Sequence, residues 1–154
     1  MLQKMGINIY SMSSQFRVRK SRHSDALAAI KKLAGGETVT KAHFPAMEGS
    51  DHYAFVTTKD FIDAETIFDA LIAWRWVLEE DANGDAFDPS FTGEKLGDEE
   101  ILFAAVAPFV VDRSYIQIFC HDDECVWRWV FEDSRVRREY ANIAFEYPGA
   151  QVGD

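Results

Sequence analysis

Tyr115-Ile116-Gln117-Ile118-Phe119-Cys120, then His121-Asp122-Asp123-Glu124, then Cys125-Val126-Trp127-Arg128-Trp129-Val130-Phe131 is the stretch that decides the fold. Apolar side chains recur at every second position on both sides of a four-residue polar loop, the signature of two half-buried antiparallel strands. Simple register across that loop sets Cys120 opposite Cys125, Ile118 opposite Trp127 and Ile116 opposite Trp129. The inner face then carries Ile116, Ile118, Trp127, Trp129 and Phe131, while Arg128 falls on the other face beside Gln117.

A second hairpin precedes it. Trp76, Leu78 and Glu80 alternate toward Asn83-Gly84, and Phe87 and Phe91 resume the alternation beyond. Asn-Gly between such runs is a strong turn signal. Pro89 cannot donate to a ladder and therefore marks an edge strand or a bulge. Between the hairpins, Asp98 is placed to cap a helix in which Glu99 and Glu100 favour the positive end of the dipole and Ile101, Leu102, Ala105, Val106 and Phe109 supply the buried face. Pro108 limits its length.

Further toward the N-terminus, Asp63 is placed to cap a helix ending near Trp74 or Arg75, with Ile67, Leu71 and Trp74 as its stripe and Phe68 and Ile72 widening it. Gly6 to Ser14 reads as a short strand with Ile9 inward and Tyr10 outward. Ser24 caps a helix over 25–34 that stops at Gly35-Gly36, with Leu27, Ile30, Leu33 and Ala34 facing the core. Residues 37–51 read as a connecting loop, 52–57 as a strand, and Val136 with the 140–147 region as a last strand. This order predicts an α+β domain: a mainly antiparallel sheet of two hairpins plus additional strands, with about three helices packed on one face. Its expected span is 5–147, followed by a flexible tail over 148–154, and Met5 is an alternative start.

The 154 residues are 47% hydrophobic with 12 Phe, 5 Tyr and 4 Trp, enough apolar surface for one self-supporting core despite the net charge of −10. No apolar run is long enough for a membrane span and no signal-peptide pattern opens the chain, so the expected location is cytoplasmic. Charge is unevenly distributed. Twenty of the 26 acidic residues fall between Asp51 and Asp133, against five Lys or Arg, whereas the first fifty residues hold eight Lys or Arg against three acids.

The candidate chemistry is sparse. Asp81, Asn83 and Asp85 copy the start of a calcium loop, but Ala86 stands where the sharp turn needs glycine and Thr92 where a bidentate glutamate belongs, so a plain acidic hairpin tip is expected. The 93–100 segment carries glycines before a helix, yet Asp98, Glu99 and Glu100 would repel a phosphate there. Cys120 and Cys125 are expected as reduced thiols or a cross-strand disulfide; two thiols alone are too few for a zinc site. His23, His43, His52 and His121 have no nucleophile tied to them, and Cys120 and His121 point to opposite faces of one strand, so no catalytic residue, metal or cofactor is assigned. Metal-dependent enzyme chemistry is the alternative class.

What remains is binding. Trp-Arg-Trp occurs at 74–76 and 127–129; the first copy sits at a helix-to-strand junction, where Trp74 and Arg75 are candidates for an interface anchor. The basic run from Arg17 to Arg22 is expected to pair with the protein's own acidic surface or an acidic patch on a partner, since a net charge of −10 opposes nucleic acid. The sequence thus points to a small acidic, non-catalytic binding domain that engages a basic protein surface, with no direct nucleic-acid or membrane contact, through Glu79, Asp81, Asp85, Asp88, Glu94, Asp98 and Glu99 together with Trp74 and Arg75. The concrete form expected is an inhibitor, immunity or anti-defence protein that occludes a basic nucleic-acid-handling surface. A regulatory interaction domain without anion mimicry fits the same residues.

Overall fold

A computed structural model describes residues 8–35, 53–142 and 144–146. Seven strands form two antiparallel sheets, accompanied by four helices, and the fold is α+β. The strands are β1 (Ile9–Ser11), β2 (Arg17–Val18), β3 (Trp76–Glu80), β4 (Ala86–Phe91), β5 (Ser114–Cys120), β6 (Cys125–Glu132) and β7 (Arg135–Tyr140). The helices are α1 (His23–Lys32), α2 (Thr58–Ile62), α3 (Ile67–Ala73) and α4 (Glu99–Val106). One sheet has the order β1-β5-β6-β7 and the other β2-β4-β3, so the two hairpins lie in different sheets.

The β5–β6 register is the one the sequence predicts, from Cys120 opposite Cys125 to Ile116 opposite Trp129. Its inward side chains meet the second sheet and α4 in a ring cluster. Trp129 lies 4.7 Å from Phe103, 4.6 Å from Trp127 and 6.0 Å from Trp76, all edge-on. Edge-on contacts set the positive ring edge of one partner against the negative face of the other. The indole N–H groups of Trp74, Trp76 and Trp129 are buried without a hydrogen-bond partner. For Trp76 and Trp129 the neighbouring ring faces are the available weak acceptors.

The β3–β4 pairing explains Pro89. Val77 faces Ser90 and Glu79 faces Phe87, so β4 carries one extra residue there, and Asp88 takes a left-handed φ of 51°. That is a bulge, in which a residue lacking an N–H leaves no ladder bond unmade.

Three helix boundaries differ from expectation. α1 grows directly out of a 3-10 turn over Lys20–Arg22, so Ser24 lies inside the helix and the position before it, Arg22, makes no side-chain cap. The helix expected to start at Asp63 starts later: Asp63 instead closes α2, a short helix not expected from the sequence, and Thr66 caps α3 by accepting from the Asp69 N–H at 3.1 Å. Ile72 is exposed instead of buried, because α3 starts late and packs through Ile67, Ala70 and Leu71. The expected strand over 52–57 is, in its described part, a tight turn closed by reciprocal Tyr53–Val56 hydrogen bonds. The 37–51 loop, the Met5 start, His43, His52 and the tail over 148–154 lie outside the described residues.

Candidate partner-binding surface

The hairpin tip is a lock. β2 runs beside β4 with Arg17 opposite Phe87, and the guanidinium crosses that ring at 5.3 Å to reach the turn. There it donates to the carboxylates of Asp81 and Asp85. Asp81 Oδ1 accepts from the backbone N–H groups of Asn83 (2.9 Å) and Asp85 (3.0 Å), while Asp85 Oδ1 accepts from the Lys20 N–H at 2.8 Å. Gly84 is required at the corner: its φ is +84° and a Cβ would come within 2.8 Å of the Lys20 side chain. The oxygens that resemble a calcium loop are thus spent on closing the turn. Two cations of the basic run pair with the protein's own acids, Arg17 with Asp81 and Asp85 and Arg22 with Asp25.

The Arg17 hydrogen bond holds the Asp81 carboxyl below its ordinary value of 3.8. A lowered folded-state value means that the unfolded chain takes up the proton first, so this stabilisation is present above about pH 4 and is lost as pH falls through the folded value. Urea unfolding midpoints measured from neutral to about pH 2 should fall less steeply in Asp81→Asn than in the parent, since the variant lacks that titration. An identical acid limb in both would remove Asp81 from the account.

Of the residues expected at the binding face, Trp74, Asp98 and Glu99 are buried and Arg75 is half-buried. Trp74 is fully buried at 5.1 Å from Tyr53 and 5.6 Å from Phe61. Asp98 is buried and accepts from the Ala54 N–H at 2.8 Å, so its carboxylate ties the 53–56 turn to α4. Glu99 is 1% exposed; its two carboxylate oxygens accept from one Arg75 nitrogen, Nη2, at 3.0 and 3.1 Å, and Oε1 also accepts from the Gly97 N–H. Arg75, at a left-handed φ of 71°, also donates to the Lys95 carbonyl and lies between the rings of Phe55 (4.6 Å) and Phe91 (5.0 Å). Its stacking partners are phenylalanines, not the flanking indoles. Sequence cannot show this, because the helix dipole already accounts for Glu99 at an exposed position.

Glu79, Asp88 and Glu94 are exposed and make no ion pair with the described residues. They do not form one face. Glu79 and Asp88 flank the β3–β4 hairpin, whereas Glu94 lies beyond the far end of β4, where its carbonyl accepts from Ile9 and the Asp122 carboxylate from Asn8.

The more continuous acidic surface is one that the sequence did not single out. Asp60, Asp63, Glu65 and Asp69 are all exposed on α2, α3 and their connection, and no Lys or Arg occurs between Asp60 and Trp74. Among them stand two bare apolar side chains, Ile62 at 46% and Ile72 at 55% exposure. The charge spacing was legible; the exposure of Ile72 was not, because it depends on which face α3 turns to the core, the one carrying Ile67, Ala70, Leu71 and Trp74.

Elsewhere the chemistry is limited. A groove of about 490 Å³ between the sheets has Arg17, Arg19 and Arg113 on its walls as well as Asp88 and Asp112; with Arg17 already paired to Asp81 and Asp85, the remaining charges balance. Cys120 and Cys125 are free thiols; burial pushes the Cys120 thiol up, and its Sγ donates to Asp123 at 3.7 Å. Such a thiol is a weak nucleophile. Among the described residues no cluster of three or more His, Cys, Asp or Glu could hold a metal ion, and no helix is long and apolar enough to cross a membrane. Compared with protein-family models, curated proteins and solved structures, the chain matches none.

Proposed function

We propose that this protein is a small acidic, non-catalytic binding domain that covers a basic surface on another protein, and that it acts as an inhibitor of a nucleic-acid-handling partner. The observation that carries the reading is the α2–α3 surface: four exposed carboxylates against one cation, Lys59, together with the exposed Ile62 and Ile72. Unpaired carboxylates steer a basic partner and compete for the Lys and Arg groups that would hold phosphates. Exposed isoleucines supply what charge alone lacks, an apolar contact that excludes water at the centre of a binding patch. Asp98 holds the 53–56 turn that leads into α2, through the Ala54 N–H.

The test is affinity capture from the source cell's lysate with the parent and with Asp63→Lys, Glu65→Lys and Asp69→Lys combined. The parent should recover a basic nucleic-acid-handling protein at low salt and lose it near 0.5 M, where the Debye length is only about 4 Å. The triple variant should recover none, while melting close to the parent because the three sites are exposed. Undiminished recovery by a folded triple variant would sink the reading.

A further inference from the structure

β7 is the outer strand of the four-stranded sheet, and five of its six residues are exposed. Its register on β6 sets Glu132 opposite Arg135, Val130 opposite Arg137 and Arg128 opposite Glu139, and the Ala141 N–H reaches the Val126 carbonyl at 2.9 Å. That last bond fixes the phase. In an antiparallel ladder the bonded residues alternate, so Arg135, Arg137 and Glu139 turn their backbone groups toward β6, and Val136, Arg138 and Tyr140 turn theirs to the open edge.

Open edges are normally blunted by charge. Here the charge is cancelled locally. Arg137 pairs with Glu139 at 2.6 Å and Glu132 at 3.6 Å, and Arg138 pairs with Glu100 while its guanidinium lies 4.1 Å from the Trp127 ring centre. Beside this edge stand Tyr140 at 68% and Phe145 at 81% exposure, the two barest large hydrophobic side chains among the described residues.

We propose that β7 pairs with β7 of a second copy, antiparallel and centred on Arg138, joining two four-stranded sheets into one of eight. The occupant follows from charge. With the two-fold axis at Arg138, the free backbone groups of Val136, Arg138 and Tyr140 meet those of Tyr140, Arg138 and Val136, and Arg137 stands opposite Glu139 twice. Moving the axis to Val136 sets Arg135 against Arg137, to Arg137 sets that residue against itself, and to Glu139 sets two glutamates face to face. Like charges directly opposite oppose pairing. An axis at Tyr140 leaves half of β7 unpaired. At the favoured axis Arg138 also meets itself, but as a hydrogen-bonded pair at the wider spacing, about 5.5 Å between Cα atoms against about 4.5 Å for Arg137 on Arg137. Each Arg138 guanidinium is held by Glu100, and each Val136 meets a Tyr140.

Sedimentation velocity over a concentration series tests this on the full chain. The parent should pass from monomer to dimer with rising concentration. Arg137→Glu and Glu139→Arg should each weaken the dimer about tenfold, by replacing two attractive cross-strand pairs with two repulsive ones. The double variant should recover the parent's affinity, because swapping both charges restores both pairs. In the parent, amide exchange at Val136, Arg138 and Tyr140 should slow as the dimer fills. A chain that stays monomeric near 1 mM, a dimer indifferent to the single reversals, or a double variant as weak as the singles would each overturn the proposal.

Discussion

Glu99→Ala should lower the unfolding free energy by about 3–5 kcal/mol, read from the urea midpoint by circular dichroism. The size follows from what is left behind. Arg75 is 15% exposed at its side chain and would keep its charge with only the Lys95 carbonyl and two phenyl faces to hold it. A single-domain protein holds about 5–15 kcal/mol in all, so this one change spends a large part of it. Combining Glu99→Leu with Arg75→Met should restore much of the loss, since a buried ion pair exchanged for apolar groups of similar volume is often near neutral. Failure of the double variant to recover would mean that the Arg75 contacts with Phe55 and Phe91 matter more than its charge. The pH dependence has the opposite sign from that of Asp81. Burial raises the Glu99 carboxyl above its ordinary 4.5, against the pull of Arg75, so its titration favours the fold below that value and the contribution fades as pH rises through the raised one.

Trp129→Ala should cost about 3–5 kcal/mol as well, by a different route. Trp129 is 1% exposed and joins β6 to both α4, through Phe103, and the second sheet, through Trp76. Three rigid rings border the space it would leave, and they cannot collapse into it without breaking their own contacts. The control is Trp129→Phe. Because the indole N–H has no hydrogen-bond partner, that change loses volume and no hydrogen bond, and should cost only about 1 kcal/mol. Equal losses for the two variants would show that the indole itself, not the volume, is what the site requires.

The register of the β5–β6 hairpin was readable to the residue, and its outer ends to within one, because both strands hold a period of two across a short polar loop, and one slipped position would turn Trp127 and Trp129 into water. α4 was readable for a similar local reason, with Asp98 just before its first turn. β2 was not. Arg17-Val18 has neither length nor alternation, and it is a strand only because Phe87 and Ala86 arrive from the β3–β4 hairpin. α2 escaped because its five residues are too few to show a helical period, and the late start of α3 escaped because Asp63 and Thr66 are both residue types that cap helices. Of the candidate site, the abundance of carboxylates was legible and their fate was not. Whether an acid faces solvent, closes a turn as Asp81 does, or is taken inside by an arginine from another element as Glu99 is, depends on contacts that join distant parts of the chain.

The pairing order of the sheets also bears on how the chain comes to be folded. β1 finds its partner in β5, more than a hundred residues later, and β2 finds its own in β4. Synthesis therefore delivers the N-terminal strands long before anything exists for them to pair with, and closing such distant contacts is a slow step. The β2-β4-β3 sheet can close once Phe91 has emerged, whereas β1 has nothing to pair with until Cys120 has left the ribosome, so the two sheets become available in turn.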